Sequence, residues 1–109
     1  MISFTLSDLQ NLSELNILDN TYLISIDLSA LPNLSQLTSS QNFNVTSIDL
    51  IDLPSLSQLN IDDDDALTSI NLADLPSLSE LFINANTVLA EINFSNLINL
   101  NELTISNNE

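Results

Sequence analysis

Glycine, cysteine, lysine, arginine and histidine are all missing from this 109-residue chain, and each absence removes something. Without cysteine there are no disulfide staples and no thiolate metal ligands. Without histidine and lysine the chain lacks the usual general base near neutral pH, the commonest metal ligand and the Schiff-base amine. Without glycine, any left-handed turn position is expected to be held by Asn or Asp, whose short side chains tolerate it. The 15 acidic residues have no basic counterpart, which gives a formal charge of −15. Such a surface repels phosphate backbones and anionic lipid, so nucleic acid is excluded as a partner. The terminal amine is the one cation available for an intrachain ion pair, so salt or calcium is expected to stabilise the fold.

Long apolar runs are absent too. None approaches the roughly 18 residues that read as a membrane-spanning helix, so membrane insertion is not expected. Met1 to Thr5 lacks the basic start of a secretory signal, and any export signal is expected to lie outside this chain. What is present is a hydrophobic content of 44%, too much for a disordered chain.

That hydrophobic content is periodic. ISIDLSALPNLSQLTSSQNFNV and TSIDLIDLPSLSQLNIDDDDAL are two copies of one 22-residue pattern, and the chain divides without insertion into units 2–23, 24–45, 46–67, 68–89 and an incomplete 90–109. A fixed period of this size marks a solenoid, in which each unit buries its apolar face only against its neighbours. The apolar positions form columns such as Leu6, Leu28, Leu50, Leu72, Phe94 and Leu15, Leu37, Leu59, Leu81, Leu103. Each unit reads LxxIxLxxLPx followed by LxxLxIxxNxx, an 11-residue half nested inside the whole. The I-x-L and L-x-I alternation is the period-2 pattern of a short strand with one buried face. Pro32, Pro54 and Pro76 suit corners rather than a ladder, and no segment carries a sustained helical period. The expected fold is therefore a repeat solenoid of mainly parallel β structure, with two short strands per 22-residue coil and little or no α-helix.

A further column, Asn20, Asn42, Asp64, Asn86 and Asn108, follows the second strand of each coil. Amide side chains at a tight turn can donate to and accept from backbone groups of their own and the adjacent coil, which satisfies polar groups the turn would bury. Asp64 can only accept when ionised, and so departs from the pattern. Ser39 also departs, replacing an Ile in its column, and Phe43 is expected to fold in and fill the gap.

LPSLSQLNI and the Asn or Asp that follows it, repeated at 22 residues, resemble the leucine-rich-repeat family with its LxxLxLxxN hallmark. The nested halves are most similar to a bacterial subclass in which two half-motifs alternate within one coil. The resemblance spans nearly the whole chain and implies a recognition scaffold, extracellular or at a cell surface, whose outward strand residues form the binding surface. It does not specify the ligand.

Outward columns are where binding is expected, because stacked coils hold neighbours in a column roughly 4.7 to 4.9 Å apart. On the second strand of the coils Gln36, Thr38, Gln58, Asn60, Glu80, Phe82 and Asn84 form a flat polar ladder with one exposed aromatic, suited to a protein or glycan. The alternative for the same residues is a solvated sheet face. Asp62, Asp63, Asp64 and Asp65 are the best calcium candidate, although they lack the glycine and fixed spacing of known calcium loops. No other cofactor is expected. Repetition alone supplies paired carboxylates without a pocket to distinguish one, so a carbohydrate-active enzyme is a remote alternative. The other alternative is a structural spacer, stabilised by calcium or salt, whose uncapped coils self-associate end to end within a longer array.

Overall fold

The computed structural model describes residues 2–4 and 9–108. Ten strands follow one another as β1 (Ile2–Phe4), β2 (Glu14–Leu18), β3 (Leu23–Leu28), β4 (Gln36–Ser40), β5 (Ser47–Ile51), β6 (Gln58–Asp62), β7 (Ser69–Ala73), β8 (Glu80–Asn84), β9 (Glu91–Ser95) and β10 (Glu102–Ser106). Odd strands pair in parallel in the order β1-β3-β5-β7-β9, and even strands in the order β2-β4-β6-β8-β10. Successive partners are offset by 22 residues, as in Leu37 with Leu59 and Leu59 with Leu81. The chain is therefore a parallel β-solenoid with two strands per coil, and no helix occurs among the described residues.

Alternation within each strand decides which side faces in. In β6 the order Gln58, Leu59, Asn60, Ile61, Asp62 buries Leu59 and Ile61 and leaves the other three partly accessible. Ile48 and Leu50 of β5 and Ile70 and Leu72 of β7 fill the interior from the opposite sheet. Leu31, Leu53 and Leu75 with Leu34, Leu56 and Leu78 close one edge of this core, and Val45 and Leu67 close the other. Each such side chain contributes about 1.5–3 kcal/mol by leaving water, but only when coils lie above and below it.

Each half-coil turns its corner in the same way. A residue with left-handed backbone ends the strand, and these recur at Asp19, Ala30, Gln41, Asp52, Asp63, Asp74, Ala85, Asn96 and Asn107, with φ between 55° and 60°. Their 11-residue spacing is the half-repeat expressed in backbone angle. A β-turn follows, closed for example by the Val45 N–H donating to the Asn42 carbonyl at 3.1 Å and the Leu56 N–H to the Leu53 carbonyl at 3.2 Å. Pro32, Pro54 and Pro76 stand second in these turns, where a preset φ is favoured.

Two expectations are corrected here. Asn and Asp do not hold all the left-handed positions, since Ala30, Gln41 and Ala85 take them as well. The parallel pairing on either side overrides the preference, at a cost of about 1–2 kcal/mol for such a residue. Phe43 does not fill the gap beside Ser39 and is 47% exposed. It lies between Asn42 and Val45, the two buried members of its turn, and turning it inward would expel them.

Two predictions follow from this packing. Leu56→Asp places an unpaired charge between Leu34 and Leu78, with no cationic side chain anywhere in the chain to meet it. The variant is expected to lose its far-ultraviolet sheet signal at room temperature, and a cooperative native-like melt would contradict the coil frame. Ala85→Gly should instead gain about 0.5–1 kcal/mol in chemical denaturation, because relief at positive φ exceeds the added chain entropy. The same substitution at Ala73, the extended last residue of β7, should lose a similar amount.

Candidate functional site

Because the even strands pair in register, residues that are 22 apart in sequence become neighbours in a row across the outer face. Gln36, Gln58, Glu80 and Glu102 form one row. Thr38, Asn60, Phe82 and Thr104 form the second, and Ser40, Asp62, Asn84 and Ser106 the third. All seven residues expected to bind a ligand thus lie on one surface. Within the rows amides sit beside carboxylates: Gln58 Nε2 donates to Glu80 at 3.2 Å and Asn84 Nδ2 to Asp62 at 2.8 Å. Ser106 Oγ donates to Asn84 Oδ1 at 2.6 Å and extends the third row. Phe82, expected to be exposed, is half-buried between Asn60 and Thr104, and Tyr22 is far more open at 77%.

The four consecutive aspartates do not converge. Asp62 ends β6 on the outer face. Asp63 takes the left-handed corner and donates its N–H to the Asn84 carbonyl at 3.0 Å. Asp64 is fully buried, and Asp65 is exposed. Neighbours in a corner point to different sides, so the expected calcium loop is divided. Among the described residues no three carboxylates come together as a metal-holding group.

Asp64 belongs instead to an interior ladder. The backbone N–H of Asn20 donates to Asn42 Oδ1 at 3.1 Å, that of Asn42 to Asp64 Oδ1 at 2.8 Å, that of Asp64 to Asn86 Oδ1 at 3.0 Å and that of Asn86 to Asn108 Oδ1 at 2.9 Å. Each rung after Asn20 therefore accepts from the coil before it. The amides also reach back: Nδ2 of Asn42, Asn86 and Asn108 donates to the carbonyls of Ile17, Ile61 and Ile83 at 2.9, 3.2 and 3.0 Å. By the same 25-residue offset Asp64 stands over Ser39, but a carboxylate has no hydrogen to give. The direction reverses, and Ser39 Oγ donates to Asp64 Oδ2 at 2.7 Å while accepting from Asn42 Nδ2 at 3.0 Å. Ser39 and Asp64 are one paired departure from the repeat. Burial raises the Asp64 pKa, a tendency strengthened by the nearby Asp62 charge and opposed by the bonds from Ser39 and Asn42.

Other outward columns repeat the amide–carboxylate pairing. On the odd-strand face Asn71 Nδ2 donates to Asp49 Oδ1 at 2.6 Å, and Asn93 Nδ2 to Asn71 Oδ1 at 2.7 Å. At the proline corner Asp52, Asp74 and Asn96 together with Pro54, Pro76 and Ile98 line an open groove of about 390 Å³. Sequence reasoning placed the prolines at corners and missed the groove, although a Pro column two residues from an Asp column was its signal. Comparison with family models, curated proteins and solved structures finds no match for this chain.

The ladder's weight is measurable in Asn86→Ala. That change strips the buried Asp64 N–H and the Ile61 carbonyl of their side-chain partners, and each such loss costs about 1–3 kcal/mol. Urea denaturation should show the deficit, and a variant as stable as the parent would reduce the ladder to decoration.

Proposed function

We propose that this chain is a non-enzymatic recognition module of the leucine-rich-repeat type, from a bacterial extracellular or cell-surface array. It presents the outer face of β2, β4, β6, β8 and β10 to a protein or glycan. One observation carries the reading: Gln36, Thr38, Gln58, Asn60, Glu80, Phe82 and Asn84 occupy adjoining rows of a single in-register sheet. Rows whose amide, hydroxyl and carboxylate members stand roughly 4.8 Å from one another suit a ligand that offers both donors and acceptors along its length. Phe82, and Leu18 at the β2 end of the third row, give this polar face its apolar contacts.

The chemistry of the chain also fits binding better than catalysis. It has no histidine, lysine or cysteine to serve as base or nucleophile. The carboxyl with a raised proton affinity, Asp64, lies inside the stack, where no substrate would meet it.

Binding to an array of glycans and a panel of extracellular proteins tests the proposal. Phe82→Ala and Asn60→Ala should each weaken capture of the selected ligand roughly tenfold, about 1.4 kcal/mol, with the melting curve little changed. Unaltered affinity in both variants would move the site to another face.

A further inference from the structure

Of the five rungs in the interior ladder, four are asparagines and one is an aspartate. Three of those asparagines give an Nδ2 hydrogen to a strand carbonyl of the previous coil. Asp64 leaves the corresponding Ser39 carbonyl without that donor and takes a hydrogen from the Ser39 hydroxyl instead. A protonated carboxyl has the shape and the hydrogen-bonding pattern of an amide: one acceptor oxygen, and one arm carrying a hydrogen. We propose that the Ser39–Asp64 rung is a proton-operated joint between the second and third coils: protonated, Asp64 completes the ladder by donating to Ser39, and ionised, it holds the joint by acceptance alone.

Only the neutral donors of Ser39 and Asn42 offset the charge of this carboxyl, and no cation among the described residues does so. On its own segment stand Asp62, Asp63 and Asp65, all acidic. The preceding coil contributes Ser39, Gln41 and Asn42, and the following coil Asn84, Ala85 and Asn86, none of them ionisable. No lysine, arginine or histidine exists to approach it. A proton is therefore the cation that fits here, and Ser39 Oγ, which donates to the ionised carboxylate, keeps a second lone pair with which to accept from the protonated form.

The sign of the pH effect follows from linkage. A carboxyl that holds its proton more tightly folded than unfolded weakens the fold while ionised, and that deficit is relieved as pH falls through its folded pKa. Relief is complete below the unfolded value of about 3.9. The solenoid should therefore melt higher as pH is lowered from neutral.

General repulsion among the other acids pushes in the same direction, so the experiment separates the two. Thermal melts from pH 8 to pH 5 in 0.5 M salt, which screens the exposed charges, are run on the parent, Asp64→Asn and Asp65→Asn. The expected result is that D64N loses at least half of the parent's pH-dependent rise in Tm, whereas D65N, with the same change in charge, keeps it. Equal losses in the two variants, or an unchanged rise in D64N, would overturn the proposal. Carbon-13 titration of the Asp64 carboxyl in the parent reads the joint directly, even if D64N fails to fold. Its midpoint should lie above the ordinary aspartate value, and Ser39→Ala, which removes the donor to the ionised form, should move it higher. A midpoint at or below the ordinary value, or one that S39A leaves in place, would overturn the proposal as well.

Discussion

Contact between residues 22 apart is the constraint on which this molecule depends. A single coil has no interior of its own, since its leucines and isoleucines leave water only when another coil lies over them. Burial drives the stacking, but it is indifferent to small shifts between similar leucine columns. Register is fixed by the directional contacts: backbone pairing in two sheets, and a ladder in which each Asn or Asp after Asn20 accepts from the coil before it. A one-residue slip would turn the apolar face outward and break every rung at once, so hydrophobic and polar requirements select the same alignment.

A formal charge of −15 with no basic side chain opposes such close stacking. The columns show how the repulsion is moderated. Asp49 meets Asn71, Asp62 meets Asn84, Asp74 meets Asn96 and Glu80 meets Gln58, each carboxylate receiving an amide hydrogen from an adjacent coil. Hydrogen bonds to an ionised acceptor are stronger than neutral ones, so the amides do part of the work that cations do elsewhere. In-register neighbours that are both acidic, such as Asp27 and Asp49, lie on the outer surface, where water and salt screen them.

The coils, their two strands, the inward columns and the outward rows were all legible in the sequence, because alternation and a 22-residue period each point to a face. Legibility failed where the local signal was uniform or where tertiary contacts overrode it. Four identical aspartates say nothing about which one turns inward, and only the column shared with Asn42 and Asn86 distinguishes Asp64. Phe43 looked like a filler because hydrophobicity suggested it, yet its place between the two buried members of a turn decides its direction. Ala30, Gln41 and Ala85 carry no preference for left-handed backbone and adopt it because the strands on either side leave no other route. The Ser39–Asp64 exchange was visible as two separate anomalies, and only the 25-residue reach of the ladder joins them.

The corner residues bear on how such a chain can grow. Left-handed positions every 11 residues make the two half-coils alike in backbone, but the residue after each corner alternates between the Asn or Asp of the ladder and the leucines Leu31, Leu53 and Leu75. Copying a half-coil would seat a leucine where the next asparagine belongs, leaving a dry N–H and a dry carbonyl at the seam. Copying a whole coil extends both columns without a fault. The smallest structural period is therefore not a heritable one: an array of this kind lengthens or shortens by full turns, and the shorter repeat survives only as an echo within each.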